Sequence, residues 1–513
     1  MRGSWGGSAP EYRRDRGQYH TRCFRRHGCD SVPAREVPMS RHHRAGYVTR
    51  RWGMPLTRHA RLRTLRRRFC GCEAKRIMKI TFLGGGALRL LGAVDEILKQ
   101  REVFVEPNLV FMDTDPGRAQ TVAALARKMP SALVNPPATQ ATDDLDAALH
   151  GASFVYCCIR VGGVRALERD KKIGSRWGFH GHDDFGPSAI MLTARTVPVV
   201  LDIARRMQTH CPGAWLLIFS NPITTLVDAV TRHTPVRNVG LCDGVYNFAW
   251  DMDALFDTGV PCPDLAYSGG GLNHLSWITP DTAYKNQRVM DMIWEQWDEL
   301  AQRRNAARCD WKGIAPLVKM DRVMPLNNGH QVHYFYHDKL AAKMHEACCD
   351  SNDADLRSSK QDRAAAQAAQ LAQQDQIEGF WDQTALQGCQ ASPFGNTGVK
   401  VMKSIHQDSG DELIVTTPNH GHIADLLEGA PVEAPVHVWR NGLEPVGIDP
   451  VPTFHKGLCN AVAYHQRLVV DASMTQDRHA LFTALMAEPT IRSLERAAPM
   501  FDELWAAHES ANE

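Results

Sequence analysis

The stretch MKITFLGGGA, residues 78–87, decides the fold. Its apolar run from Ile80 to Leu83 suits a short buried strand, and it breaks into three consecutive glycines. An apolar-periodic stretch from Leu88 to Leu98 follows and predicts a helix. A second apolar run, Asn108 to Met112, closes at Asp113, and Ser153 to Ile159 reads as a further buried strand. Strands alternating with helices in this way predict an α/β chain built on a parallel sheet.

A glycine turn between a strand and a helix lets the backbone approach a pyrophosphate at the helix N-terminus. An acid closing the second strand can then take the ribose hydroxyls. Gly84, Gly86 and Asp113 are therefore candidate cofactor-binding residues. Asp rather than Arg at that strand end favours NAD over its 2′-phosphorylated form. Arg89 stands where the usual fingerprint has its third glycine. Two plainer readings compete: the glycines as an ordinary turn, and Asp113 as the N-cap of a helix begun by DTDPGRAQ (113–120).

Outward from this point the charge changes sign. Residues 1–77 carry 19 Arg and 1 Lys against 2 Asp and 3 Glu, a net +15. The remaining 436 residues sum to −13, so the formal +2 of the 513-residue chain describes neither part. Residues 1–77 lack periodicity and are expected to be a basic, disordered extension before a start at Met78. Binding of nucleic acid through the run RHARLRTLRRRF (58–69) is the competing reading, and the acidic body argues against it. Hydrophobic residues at 43% and charged residues at 23% are globular proportions. Without an apolar run of membrane-spanning length or a signal h-region, a cytoplasmic protein with no membrane partner and reduced thiols is expected.

Beyond Arg160 the chain reads RVGG (160–163), a long segment ending in LTARTVP (192–198), LLIFSNP (216–222), VGLCDGVYN (239–247) and GGLNHLSW (270–277). Taken together with the glycine turn, these resemble the family-4 glycoside hydrolases, an NAD- and metal-dependent group within the lactate/malate dehydrogenase-like superfamily. The likeness runs from Met78 to about Trp277 in order and spacing, and more weakly to the C-terminus. It implies a Rossmann-like NAD-binding domain over 78–270 and an α+β, lactate/malate dehydrogenase-like C-terminal domain over 271–513. It also implies a homo-oligomer, a dimer or tetramer.

The chemistry implied departs from the two-carboxylate scheme of most glycosidases. NAD would take hydride from C3 of the sugar, which acidifies the C2 proton. A base removes that proton, the glycosidic oxygen leaves C1, water adds, and the hydride returns. A divalent ion would act as Lewis acid on the sugar oxygens. Cys242 and His274, a thiolate and an imidazole 32 residues apart, are the candidate metal ligands. Thiolate ligation alone suggests zinc or iron; the resemblance implies manganese.

Other roles follow from the same likeness. Asn221 would hydrogen-bond sugar hydroxyls, although Asn before Pro222 is also a turn former. Asp243 would be the general acid, with a solvated loop acid as the plainer reading. The base would be a tyrosine of HYFYHD (333–338), Tyr334 preferred over Tyr336. Tyrosines at alternate positions equally suit a half-buried strand. Arg160 and Asp183 are candidate substrate contacts. The family pattern of Gln, Glu, Thr and Thr is replaced here by His182, Asp183, Asp184 and Phe185, and its frequent Arg by Leu167.

The substrate implied is a small sugar or sugar phosphate. Asp243 resembles the 6-phospho-α-glucosidase type and Val245 the non-phosphorylated α-glycosidase types, α-galactosidase among them, whereas a 6-phospho-β-glucosidase would carry Asn at 243. A 2-hydroxy acid dehydrogenase on the same fold is the competing enzyme, with Arg160 or Arg195 on its substrate. Residues 340–376, with AAAQAAQLAQQ at 364–374, are expected to form an exposed helix or an excursion. A strand from Glu412 to Thr416 and helices over Lys456–Ala472 and Asp477–Ala507 complete the expected body. His420, His422 and His455 are taken as satisfied polar groups outside the site.

Overall fold

The structure is a computed structural model that describes residues 78–256, 265–302, 311–326, 333–336, 353–389, 396–448 and 453–510. The basic segment 1–77 lies outside the described residues.

The expected strand, glycine turn and helix stand where the sequence puts them. β1 is Lys79–Leu83, the helix after the turn is Leu90–Lys99, and β2 is Asn108–Met112. β3 (Ala138–Thr142), β4 (Phe154–Cys157), β5 (Trp215–Ile218) and β6 (Asn238–Gly240) complete a parallel set in the order β3-β2-β1-β4-β5-β6. This is the strand order of a doubly wound dinucleotide fold. The strand order switches direction between the parallel neighbours β1 and β4, so the ligand crevice of such a sheet opens there, outside their carboxyl ends.

Alternation along these strands explains why both faces are covered. Ile80 and Phe82 of β1, Phe154 and Tyr156 of β4, and Trp215 and Leu217 of β5 point into one apolar layer. Leu83, Val155, Cys157, Leu216 and Ile218 point into the other. Phe82 stacks on Phe111 at 5.3 Å between ring centroids, filling the middle of the first layer. The helix Gly186–His210 seals the second. By length and composition it could cross a membrane, but most of its surface is packed inside this protein.

The same sheet continues antiparallel. β7 (Leu265–Ala266), with β10 (Ala283–Tyr284) and β11 (Gln287–Arg288), forms a small separate sheet. β8 (Gly269–Leu272) and β9 (Leu275–Ile278) form a hairpin. β12 (Asp411–Pro418) pairs with β6 and with β13 (Pro431–Trp439), which in turn pairs with β8 and with β14 (Gly442–Pro445). The main sheet thus has 11 strands, and the tip of the β8–β9 hairpin belongs to it.

Three local expectations are corrected. HYFYHD does not form a strand: residues His333–Tyr336 make a short helix. The Ala- and Gln-rich segment is neither exposed throughout nor an excursion, because the helix Asp353–Gln373 buries Ala368 and Leu371 against the first apolar layer. The stretch expected as one helix from Asp477 to Ala507 is two, Arg478–Met486 and Leu494–Glu509. Pro489 lies between them, and the residue before a proline is driven away from helical geometry.

Candidate active site

Gly84 leaves β1 at φ +74, and a Cβ there would come within 2.3 Å of the Cys158 carbonyl at the end of β4. The turn therefore needs glycine for both conformation and space. Gly85 donates its N–H to the Met112 carbonyl at 2.8 Å, which ties the turn to β2. The Gly86 N–H is donated to Oδ2 of Asp113 at 2.8 Å, and the Asp115 N–H to Oδ1 at 3.0 Å. Asp113 is thus held by two backbone groups with its carboxylate at the cleft, while Gly86 is set behind it. The helix N-cap is Asp115, which accepts from the Arg118 N–H.

A cleft of about 1300 Å³ opens across the strand ends. It is lined by Gly84 and Asp113 at one end and by Arg160, Asn221, Cys242, Asp243 and His274 further along. Gln361 and Ala365 of the helix Asp353–Gln373 close one side. Sequence reasoning assigned that helix no part in the site. Asn221 follows β5, where the Ser220 hydroxyl accepts the Ile159 N–H at 2.8 Å and joins the ends of β4 and β5.

Cys242 follows β6 and His274 sits in the two-residue loop between β8 and β9. Asn273 is pinned by donating to the buried Glu433 carboxylate at 2.7 Å, and Ser276 donates to the same group at 3.1 Å. The loop so held places His274 at φ +64. Its Nε2 lies 3.3 Å from Sγ of Cys242. An ion bound to both at ordinary bond lengths would separate sulfur and nitrogen by roughly 3.1–3.6 Å, so the pair fits a divalent metal. Burial lowers the His274 pKa, but the facing Asp184 carboxylate and Cys242 outweigh it and carry it well above the ordinary value.

Asp184 was marked by the sequence only as a departure from a pattern. Its Oδ2 lies 2.8 Å from Nδ1 of His274 and 3.3 Å from Nδ1 of His182. The three side chains offer ligand atoms within 4.8 Å of one another. Burial pushes the Asp184 carboxyl up, yet the two imidazoles, His274 above all, hold it well below the carboxylate range. No sequence pattern joins residues 184 and 274; the fold brings them together.

Asp183 and Arg160, both expected on the substrate, are paired with each other at 2.9 Å, and Asp183 also meets Lys171 at 3.3 Å. Arg195, the other arginine the dehydrogenase reading would need, is buried away from the cleft and bound to Asp170 at 2.6 Å. Asp243 is 3% exposed and neither of its carboxylate oxygens has a hydrogen-bond partner. Burial raises its pKa to about 7, against the opposing pull of Arg89.

The tyrosines lie on the short helix His333–Tyr336, whose Phe335 packs edge-on against Phe185 at 5.3 Å. Tyr336 is partly buried against the same cluster, and the Tyr334 side chain lies outside the described residues. Positions two apart on a helix point to nearly opposite sides, so one of the two at most faces the cleft. His420 contacts Glu428 at 3.1 Å and the His455 ring stacks on Trp277 at 3.9 Å; neither they nor His422 line the cleft.

Residues 79–257 match the model of the family 4 glycosyl hydrolases, and residues 270–491 match that of the family 4 glycosyl hydrolase C-terminal domain. A probable 6-phospho-beta-glucosidase of Bacillus subtilis is 24% identical over 445 residues, 84% of this chain and 97% of that protein. The crystal structure of a 6-phospho-alpha-glucosidase from gut microorganisms, in complex with NAD and glucose-6-phosphate, superposes with a TM-score of 0.72 at 22% identity, covering 85% of this chain and 99% of that one. A 6-phospho-beta glucosidase from Thermotoga maritima, with manganese, NAD+ and glucose-6-phosphate, gives 0.70 at 19% identity over 85% and 99%. These likenesses establish a shared fold.

Proposed function

The chain belongs to the family 4 glycosyl hydrolases, and from that membership we propose that it cleaves a small α-linked glycoside, of the 6-phospho-α-glucoside or α-galactoside type, with NAD and Mn²⁺ as cofactors. It is a glycoside hydrolase. The observation that carries the reading is the Cys242–His274 pair, 3.3 Å apart, on the same cleft as Gly84 and Asp113. In this reading residues 78–270 bind NAD and residues 271–513 supply much of the substrate side.

The donor set fits the groups. Asp113, held by the Gly86 and Asp115 amides, presents a carboxylate suited to ribose hydroxyls. Cys242 and His274 would hold the ion. When bound, NAD supplies reversible hydride transfer and the ion polarises the neighbouring sugar oxygens.

The chain's own side chains supply the rest. Asn221 hydrogen-bonds sugar hydroxyls at the end of β5. Asp243, buried beside Cys242 with both oxygens unpaired, holds the proton that passes to the departing glycosidic oxygen. Tyr334, or Tyr336, takes the proton from C2 of the sugar. Arg160 and Asp183, fixed to each other, border the sugar. The ordering of Arg160 by Asp183 favours a positioned substrate.

The test is hydrolysis of aryl α- and β-glycosides, each with and without a 6-phosphate, with NAD and Mn²⁺ added or withheld. Cleavage of an α-glycoside that needs both additions is the expected result. Cleavage confined to 6-phospho-β-glucosides would keep the family and overturn the linkage.

A further inference from the structure

We propose that Asp184 is a positioning residue for the metal, holding His274 so that Nε2 rather than Nδ1 is offered to the ion beside Cys242. The inference rests on Cys242 and His274 being the metal pair.

The two ring nitrogens of His274 face different partners. Nδ1 lies 2.8 Å from Oδ2 of Asp184, and Nε2 lies 3.3 Å from Sγ of Cys242. A neutral imidazole has one N–H and one lone pair. A carboxylate against Nδ1 takes the N–H there and leaves the lone pair on Nε2, the atom beside the sulfur. An outer carboxylate of this kind also fixes the ring and raises its basicity as a ligand.

The surroundings give Asp184 little else to do. It is 4% exposed, and its Oδ1 is buried without a hydrogen-bond partner. A buried carboxylate with an unmet oxygen is costly unless its charge is used. Here Oδ2 serves His274 at 2.8 Å and His182 at 3.3 Å. The backbone at His274 is set separately, by Asn273 on Glu433. On the Nδ1 side of the imidazole, Asp184 supplies the 2.8 Å contact.

One rival arrangement uses the same residues. His182, Asp184 and His274 could bind an ion among themselves, since their donor atoms lie within 4.8 Å. The 2.8 Å contact is an ordinary N–H···O distance, and the sulfur stands on the other side of the ring, at the cleft. This favours Asp184 as partner of the ligand.

The experiment is a titration of the full chain, freed of metal and without NAD or substrate, with Mn²⁺. Free Mn²⁺ is followed by its paramagnetic resonance signal for the parent, Cys242→Ser, Asp184→Ala and Asp184→Asn. Absorption of Co²⁺-loaded protein gives a second readout. The expected result is at least a hundredfold weaker binding for Cys242→Ser and about a 10- to 100-fold loss for Asp184→Ala, the usual effect of removing a carboxylate that holds a ligating histidine. Asp184→Asn should fall between, because its amide oxygen still accepts from Nδ1. At saturating Co²⁺ the Asp184 variants should keep the thiolate charge-transfer band with shifted d–d bands.

Binding by Asp184→Ala within twofold of the parent, with Cys242→Ser weakened, overturns the role of Asp184 alone. Unchanged binding by Cys242→Ser overturns the metal pair itself. Loss of the ion in Asp184→Ala but not in Cys242→Ser puts it among His182, Asp184 and His274, against the proposal. Should Asp184→Ala not fold, the near-isosteric Asp184→Asn decides by the same twofold criterion.

Discussion

Sγ of Cys242 lies 3.3 Å from Nε2 of His274, although the residues come from strands that are not neighbours in the sheet. The pair exists because two independent devices converge. The end of a parallel strand delivers the thiol, and a hairpin loop tied to Glu433 delivers the imidazole.

At the cofactor end, Gly86→Ala should weaken NAD binding by about tenfold, because the loss of one charged hydrogen-bonding partner is worth about 1.4 kcal/mol. The new Cβ would lie 2.6 Å from Cβ of Arg118 and 2.9 Å from Oδ2 of Asp113, and would push the carboxylate aside. Asp113→Ala should cost as much, and the double variant little more, since both act through one contact. Tryptophan fluorescence titration with NAD measures all three. Additive losses would show that Gly86 acts independently of Asp113.

For the departing group, Asp243→Asn should lower kcat by about 10²–10⁴-fold on glycosides of poor leaving groups, the usual worth of a positioned acid. It should lower kcat far less on nitrophenyl glycosides, whose phenolate leaves without a proton. Equal losses on both would remove Asp243 from proton delivery.

The buried Asp170–Arg195 pair, at 2.6 Å with side chains 0% and 2% exposed, should be structural. Arg195→Met leaves Asp170 only its longer contact with the partly exposed Arg169, at 3.4 Å, and should cost about 3 kcal/mol of stability. Adding Asp170→Leu should restore most of it. Denaturant unfolding checks both, and a stable Arg195→Met single variant would contradict the account.

His465 should lower stability on mild acidification, while Asp243, its pKa raised by burial, acts in the opposite direction. His465 is buried with Nδ1 2.8 Å from the Ala484 carbonyl, and burial lowers its pKa to about 4. The unfolded chain takes up a proton near the ordinary value of about 6.5 while the folded one refuses it, so the stabilisation is full above 6.5 and drains away towards 4. This one group should cost about 2 kcal/mol between pH 7 and pH 5. His422 and His455, also lowered to about 4 by burial first, act in the same direction. In His465→Leu the pH dependence over this range should shrink by about that amount; an unchanged slope would show that the imidazole takes up its proton in the fold as readily as in the unfolded chain.

The nucleotide-binding half of the fold was legible because its signals are local. Phe82 and its neighbours announce a buried strand within five residues, and the glycines that follow meet a steric need at Gly84 within the same turn. The sequence also paired Cys242 with His274, but only through a resemblance, since spacing alone joins no two residues so far apart. Asp184 and the Arg160–Asp183 pair were not legible as a network, because their partners are set by how the loop before Gly186 lies across the strand ends. The Ala- and Gln-rich helix misled for a different reason. Alanine buries without an apolar stripe strong enough to mark the face, so Ala368 read as surface.

The most direct test of the central claim is cleavage of an α-glycoside in deuterium oxide, with NAD and Mn²⁺ present, and the same reaction with each withheld. The account predicts deuterium at C2 of the released sugar and no cleavage when either addition is missing. Cleavage that persists without NAD and metal, with only protium at C2, would contradict it.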